Sequence, residues 1–191
     1  YLIYAQPLAG RRRLSERRGR NITTRWLQPG ASELDGIPRP ASVIAQRYAQ
    51  HAHCLAAFIE DRLVGCLWYV AGRYAEDEVR CDFDFNDQHD CIWDFDVYVA
   101  PEHRLGMVFL RMWDDVEAAL FAQGYRWSLS RISAFNHHSI RSHERLGAKP
   151  IGWAVFLTLG SWQWDVGSFS RGVRWSRRPG GRPQLKIALP P

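Results

Sequence analysis

Two segments of the sequence combine residue types that can bind a phosphate group and move a proton. The first runs from Asp96 to Leu110 and reads as a strand, a sharp turn containing Pro101 and the beginning of an amphipathic helix. A strand-to-helix turn presents backbone N–H groups and the positive end of a helix dipole, which suits a phosphate or diphosphate. Arg104 can add a charge-assisted contact there. A plain turn with a surface arginine predicts the same residues, so this segment alone leaves both interpretations open.

The second segment runs from Phe135 to Ala148 and contains an amide and a histidine. Asn136 lies where a predicted strand ends and a helix begins, so it can cap the helix or offer its amide to a ligand lying along the sheet. His143, on that helix, can donate a proton near neutral pH. A helix-surface histidine is the structural alternative.

A regular succession of predicted strands and helices positions these segments. Two apolar runs joined by a short polar turn, 54–59 and 63–70, predict an antiparallel hairpin. The other predicted strands are 21–28, 91–99, 127–133, 153–159 and 163–175, and the predicted helices are 32–37, 41–50, 105–123 and 139–146. This order favours one α/β (α+β) domain with helices flanking a mixed, mostly antiparallel sheet.

The helix predicted over 105–123 has one apolar stripe at helical spacing. The stripe consists of Val108, Phe109, Met112, Trp113, Val116, Ala119 and Leu120. Asp114, Asp115 and Glu117 lie mostly off the stripe.

Together the two segments resemble the GNAT N-acetyltransferase superfamily. Its members typically carry V-x-P-x-x-R-G-x-G-x-G/A at the cofactor turn and N-x-x-A-I-x-x-Y-x-x-x-G-F further along the chain. The matching residues here are Val99, Pro101, Arg104, Asn136, Ser139, Ile140, His143, Gly147 and Ala148, within a resemblance that covers roughly residues 54–159. The resemblance implies a GNAT-like fold that transfers an acyl group from acetyl-CoA or another acyl-CoA to a primary amine by direct attack.

The resemblance also implies which residues bind the cofactor. Family members hold the pantetheine arm against the backbone of the strand that corresponds to Val97–Val99, where a backbone N–H polarises the thioester carbonyl. The implied cofactor-binding residues are Val97, Tyr98, Val99, Arg104, Leu105, Gly106, Met107, Val108, Phe109, Asn136 and Ser139.

The cofactor turn departs from the family pattern in its glycines, which let the backbone approach the diphosphate without an intruding Cβ. In the frame set by Arg104, only Gly106 survives, and it is out of register. A frame shifted by one residue puts His103 at the arginine position, Gly106 at a glycine position and Val108 at the last small position. The spacing to Val99 and Asn136 favours the frame of Arg104.

The implied catalytic residues are His143, Asp94 and Asp96. His143 occupies the position of the family tyrosine that protonates the departing CoA thiolate. Asp94 and Asp96 precede the turn and share one strand face with Ile92 and Tyr98 by their spacing of two. They are candidates for the base that removes a proton from the attacking amine, with attraction of a cationic acceptor, or simple solvation, as the alternatives.

Charge is segregated along the chain, which carries a formal net charge of +5. An acidic stretch over 76–96 predicts a positively charged small-molecule acceptor such as a polyamine, an aminoglycoside-like sugar or a lysine side chain. Arginine-rich stretches at both ends predict a basic arm over 1–20 and a basic tail over 171–191, around a GNAT-like domain over 21–170. A catalytically degenerate ligand- or partner-binding module and a nucleic-acid-associated protein remain as alternatives, the latter the weaker because no DNA- or RNA-binding motif accompanies the arginines.

Composition limits the remaining function classes. Apolar residues make up 46% of the chain, which is enough for a packed core, and no apolar run reaches the length of a membrane span. The four cysteines, Cys54, Cys66, Cys81 and Cys91, form no C-x-x-C pair, so we expect free thiols and no metal site. Because no segment has the pattern of a signal peptide either, we expect a cytoplasmic protein. The exposed tryptophans of the late strands leave a homodimer open.

Overall fold

The chain folds as a mixed α/β protein in which helices flank a large, mostly antiparallel sheet. The computed structural model describes residues 1–15 and 17–189. The chain divides into two compact units, each assembled from separate stretches of sequence. The first unit contains Tyr1–Pro7, Ala71–Trp93 and the residues from Trp127 onward, and the second contains Leu8–Val70 and Asp94–Arg126.

The predicted elements occur in the predicted order, but the chain also has additional strands. The strands are β1 (Leu2–Pro7), β2 (Thr23–Leu27), β3 (His53–Ile59), β4 (Arg62–Ala71), β5 (Arg73–Ala75), β6 (Asp82–Asp84), β7 (Cys91–Val99), β8 (Trp127–Ile132), β9 (Lys149–Leu159), β10 (Trp162–Gly167), β11 (Arg174–Arg177) and β12 (Gln184–Lys186). The α-helices are α1 (Ala41–Ala49), α2 (Val108–Ala122) and α3 (His137–Arg145), and short 3₁₀ helices span Ser32–Gly36 and Pro101–His103. Strands β1, β5, β6 and β12 are the additional ones, and the strand predicted over 163–175 is replaced by β10 and β11. Among the described residues, none of the helices is both long and apolar enough to cross a membrane.

In the second unit, the predicted hairpin is the antiparallel pair β3–β4, and the strand order is β7-β4-β3-β2. Alternation alone does not describe β3 and β4, because almost every residue in both strands is buried. Helix α2 buries Val108, Met112, Val116 and Leu120 on the predicted apolar stripe. The hairpin and α2 therefore form the core of this unit.

In the first unit, the strand order is β11-β10-β9-β1-β8. Strand β1 pairs with β8 and with β9, antiparallel to both, and Ile3 and Tyr4 are buried. A second, three-stranded sheet has the order β12-β6-β5, with β12 parallel to β6. Residues from both ends of the chain thus complete the strands of this unit.

The structure differs from the sequence analysis at the predicted basic arm over 1–20. Residues 2–7 form β1, and the following residues are bound to α2 by two buried carboxylates. Asp114 accepts hydrogen bonds from the N–H groups of Arg13 and Leu14 at 2.9 and 2.8 Å, and Glu117 accepts from those of Ala9 and Gly10. Asp114 and Glu117 are therefore inside the second unit rather than on its solvent side, because a neighbouring segment needs acceptors there.

The predicted basic tail over 171–191 also contains ordered strands. Arg174 pairs with Asp165, and Arg182 donates to Asp82 at 2.6 Å. Arg80, which is buried, donates from Nη2 to the carbonyls of Arg177, Gly180 and Gly181. The two ion pairs attach the tail to acidic residues of the same unit, and Arg80 binds the tail through its backbone carbonyls.

Candidate functional site

The end of β7 packs very closely on β4, and a glycine makes this contact possible. A Cβ at Gly65 would lie 2.9 Å from the carbonyl oxygen of Tyr98 and 3.0 Å from Cγ1 of Val108. The N–H of Ala100 donates to the carbonyl of Val64 at 2.8 Å. Strand β4 therefore fixes both sides of the turn that joins β7 to α2.

The turn from Pro101 to Met107 is built from short, local hydrogen bonds. The N–H groups of His103, Arg104 and Gly106 donate to the carbonyls of Ala100, Pro101 and His103. Helix α2 begins at Val108, one residue after Met107, and its N-cap makes no side-chain hydrogen bond. The first N–H groups of an α-helix have no acceptor within the helix. The N-terminus of α2 is thus an uncapped, electropositive end beside the turn.

The predicted phosphate ligands are at the surface of this turn. Arg104 is exposed, and its Nε donates to the carbonyl of Val99 at 3.2 Å. The side chain of Leu105 is fully exposed, whereas Met107 and Phe109 are half-buried and Val108 is buried. Val97, Tyr98 and Val99 are also half-buried at the end of β7.

A cavity of about 260 Å³ opens beside the turn, inside the second unit. Its lining residues come from the turn, from the end of β3 and from the segment before β2, namely Gly19, Asn21, Ile22, Ile59, His103, Gly106, Met107 and Val108. Residue types and spacing did not predict that residues 19–22 line a cavity.

The two candidate carboxylates of β7 have different surroundings. Asp94 is buried, and Asp96 is half-buried with φ +50°, in the left-handed region. This φ interrupts the regular alternation expected for Ile92, Asp94, Asp96 and Tyr98, because a left-handed residue changes the direction of the strand. One oxygen of Asp96 accepts from Arg39 and the other accepts from Nη1 of Arg47 at 2.5 Å.

Arg47 is itself buried, with its guanidinium 5.3 Å from the ring centre of Trp68 and 5.2 Å from that of Phe95. The contact with Asp96 therefore joins α1 to the bend in β7. Asp96 therefore has a structural role, because the charge of the buried Arg47 needs a hydrogen-bond acceptor.

The residues predicted on the second segment are grouped around α3 in the first unit. Oδ1 of Asn136 accepts a hydrogen bond from the N–H of Ser139 at 3.1 Å, so Asn136 caps α3. His143 is buried, and its Nδ1 lies 2.9 Å from the carbonyl oxygen of Ser139. Because a carbonyl only accepts, the ring form with a hydrogen on Nδ1 fits this contact, and the other ring nitrogen, Nε2, is buried inside the first unit.

A residue that the sequence analysis missed lies beside α3. Gln6 in β1 is 1% exposed, and neither polar atom of its side chain has a hydrogen-bond partner among the described residues. Its neighbours touch α3, since the hydroxyl of Tyr4 donates to Glu144 at 3.3 Å and Pro7 packs beside Gly147. Gln6 shares the sheet face of Tyr4, so its amide is beneath the last turns of α3. Residue types and spacing carry no signal for its burial beside α3.

Several carboxylates of the acidic stretch over 76–96 form ion pairs with arginines. Oε2 of Glu76 accepts from Nε of Arg131 at 3.1 Å, and Asp82 pairs with Arg73 and Arg182. The charges of Glu76 and Asp82 are therefore compensated within the first unit, and these two carboxylates do not contribute to an open acidic cleft. Within the described chain, no group of three or more potential metal ligands comes together, and the four cysteines are buried free thiols.

The predicted site residues thus form two groups. The residues from Asp94 to Phe109 are brought together at the β7–α2 turn of the second unit, and Asn136, Ser139 and His143 are brought together on α3 of the first unit.

Comparison with known proteins identifies a family match over most of the chain. The model of the Acetyltransferase (GNAT) family matches residues 20–148. No curated protein sequence matches the chain. The solved structures that resemble it include an acetyltransferase from Trypanosoma brucei, at 15% identity and a TM-score of 0.51, with 72% of this chain and 99% of that chain covered.

Two other solved structures have similar scores. The aminoglycoside N-acetyltransferase AAC(6')-Iy in complex with CoA is 16% identical, with a TM-score of 0.50 over 72% of this chain and 98% of that chain. An integron cassette protein from the mobile metagenome of V. cholerae is 11% identical, with a TM-score of 0.51 over 69% of this chain and 87% of that chain. At these identities the likeness establishes the fold.

Proposed function

Since the chain belongs to the GNAT acetyltransferase family, we propose that it transfers an acyl group from acyl-CoA to the primary amine of a small molecule. The neutral amine nitrogen attacks the thioester carbonyl carbon, the C–S bond breaks, and the CoA thiolate takes up a proton while the new amide loses one. The chain's own residues have to bind the diphosphate, polarise the carbonyl and supply these protons.

The single observation that carries this proposal is the uncapped N-terminus of α2 directly after β7. An uncapped helix end favours an anion through its N–H groups and its dipole. Arg104 is exposed beside it, so its guanidinium can turn from the carbonyl of Val99 toward a phosphate. We assign the diphosphate of acyl-CoA to this end of α2, and the pantetheine arm to the backbone of Val97, Tyr98 and Val99.

Asn136, Ser139 and His143 are our candidates on the other segment. In this proposal His143 protonates the departing thiolate from Nε2, because Nδ1 is committed to the carbonyl of Ser139.

For the carboxylates we propose different roles. Asp94 remains the candidate base for the attacking amine. Asp96, whose two oxygens accept from Arg39 and Arg47, would hold the bend of β7 in place and thereby position the strand end.

Binding and turnover together test the proposal. Calorimetry with acetyl-CoA and longer acyl-CoAs measures binding, and CoA release over a panel of polyamines, amino sugars and lysine peptides measures transfer. Arg104→Ala should weaken binding of CoA more than binding of a dephosphorylated pantetheine analogue, whereas Arg126→Ala, away from the turn, should change neither. Equal weakening of both ligands by Arg104→Ala would contradict the phosphate contact.

Two variants of His143 separate its chemistry from its packing. His143→Tyr and His143→Phe differ by one hydroxyl, and only the tyrosine can donate a proton. We expect His143→Phe to lower kcat with little change in affinity for acyl-CoA, and His143→Tyr to recover a large part of the loss. Equal rates for the two variants would remove His143 from the proton transfer.

The crowded turn favours one alternative, a GNAT-fold module that binds a ligand or partner without transfer. Leu105, Met107 and Phe109 stand where the family has small residues. Acyl-CoA binding without CoA release for any amine of the panel would support this module, and absence of both binding and release would overturn the transferase proposal.

A further inference from the structure

One face of the outer strands in the first unit is apolar and exposed. Large apolar side chains point to the same side from three adjacent strands, and they are Trp153, Val155, Leu157 and Leu159 of β9, Trp162 of β10 and Trp175 of β11. We call these six residues the β9–β11 face. Exposure reaches 71% for Leu159 and 65% for Trp175. Monomeric proteins rarely leave a contiguous apolar patch of several hundred Å² in water.

The register of the strands arranges this face in two rows. Leu157 lies opposite Trp164, and Leu159 lies opposite Trp162, so an aliphatic row on β9 runs beside a tryptophan row on β10. Trp162 stacks on Trp164 with ring centres 6.4 Å apart, and it contacts Trp175 at 5.3 Å. The guanidinium of Arg177 lies 5.2 Å from the ring of Trp162. Aromatic residues with arginine are the composition that protein interfaces favour.

We propose that the β9–β11 face is the interface of a two-fold symmetric homodimer, in which the aliphatic row of one copy packs on the tryptophan row of the other. A two-fold axis running along the strands between β9 and β10 exchanges the two rows and keeps each residue at its own level. Leu157 of one copy then faces Trp164 of the other, and each copy supplies both halves of the contact. Two sheet faces packed in this manner are a standard arrangement of β-structure.

The area of the face suits this occupant. With side-chain areas on the order of 150–250 Å² for aromatic residues, the exposed parts of the six residues amount to roughly 700 Å². A stable interface of ordinary size buries about 800 Å² on each partner. The face alone therefore provides nearly the whole contact that a stable dimer needs.

The mass in solution tests the proposal directly. Sedimentation velocity of the protein at micromolar concentrations should give twice the 22.1 kDa of one chain. Leu157→Asp and Trp164→Arg should each give the mass of one chain, with unchanged circular dichroism. Trp26→Arg, at an exposed tryptophan of β2, is the matched control and should remain dimeric.

Mixing the two monomeric variants tests the arrangement of the rows. In a mixed pair, the aspartate at position 157 faces the arginine at position 164, and the other contact of the pair keeps its native Leu157 and Trp164. The equimolar mixture should therefore regain the dimer mass at low salt and lose it again at high salt. A monomeric wild-type protein, or a dimer that survives both single variants, would overturn the proposal, and a mixture that stays monomeric would overturn the row-on-row contact.

Discussion

Gly65 is the residue at which packing and the proposed cofactor turn can be tested together. Gly65→Ala adds one methyl group between β4, the end of β7 and the first turn of α2. The added carbon would lie 2.9 Å from the carbonyl oxygen of Tyr98, 3.0 Å from Cγ1 of Val108 and 3.2 Å from Cε of Met112. Two of these atoms are held in place, the first by the strand backbone and the second by a buried β-branched side chain, so the strand end or the helix has to move.

The expected loss of stability follows from adding one methyl group where the core has no room for it. Inserting a methyl group into a packed core without room costs about 1–3 kcal/mol. For a chain of this size, each kcal/mol lowers Tm by about 2–4 °C. Gly36→Ala is the matched control, because its methyl group would meet only Cβ of Leu63, at an ordinary 3.7 Å. We expect this control to stay within about 0.5 kcal/mol of the wild type.

Urea unfolding and calorimetry with acetyl-CoA measure the two consequences separately. Gly65→Ala should lower the free energy of unfolding and, if the proposed function holds, should also weaken acetyl-CoA binding, because the displaced turn carries Arg104 and the N-terminus of α2. Wild-type stability in Gly65→Ala would refute the packing argument. Reduced stability with unchanged acetyl-CoA affinity would instead show that the β7–α2 turn is not where the diphosphate binds.

Three further predictions concern parts of the chain outside this turn. Ile3→Ala should destabilise the protein by about 2–5 kcal/mol in urea unfolding, because Ile3 is fully buried in β1. The control Arg11→Ala should change the free energy of unfolding by less than about 0.5 kcal/mol. Equally small effects of the two variants would mean that β1 is not part of the core. Asp114→Asn should lower the free energy of unfolding by about 2–3 kcal/mol, because the N–H groups of Arg13 and Leu14 each donate to one carboxylate oxygen and an amide can accept only one of these bonds. Asp115→Asn is the control, and since the partners of Asp115 are side chains, it should lower the free energy of unfolding by less than about 1 kcal/mol. Burial raises the pKa of Cys81 and of Cys91 to about 12, so these thiols stay protonated at pH 8 and should react with Ellman's reagent only after unfolding; fast reaction of the native protein would contradict their burial.

The sequence predicts those elements whose residues carry their own pattern. The hairpin β3–β4 is predicted by two apolar runs around a polar turn, and α2 by a long apolar stripe at helical spacing. Asn136 at the N-cap of α3 is recognisable because capping depends on a local contact, here with Ser139. These features require no knowledge of distant parts of the chain.

The features that the sequence does not predict depend on distant partners. Strand β1 has only six residues beside a run of arginines, and its pairing with β8 joins residues far apart in the chain. Asp114 and Glu117 are buried because they accept hydrogen bonds from the N–H groups of residues 9–14, and the sequence of α2 alone does not indicate these donors. Asp96 breaks the alternation of β7 through a backbone conformation that residue types alone do not specify.

The backbone conformation of the turn from Pro101 to Met107 does not require the glycines of the family pattern. From Pro101 to Met107, all residues avoid the left-handed region, and Met107 has φ −100°, so side chains fit without backbone strain. The same 3₁₀-like turn uses the N–H groups of His103, Arg104 and Gly106 for its own hydrogen bonds. If the proposed function holds, these three amides are not available to a diphosphate while the turn is closed, and the contact would come from the first turn of α2 and from Arg104. Glycine would be needed for a turn that wraps around the ligand, whereas a turn that presents a helix end to it tolerates Leu105, whose side chain points entirely into solvent.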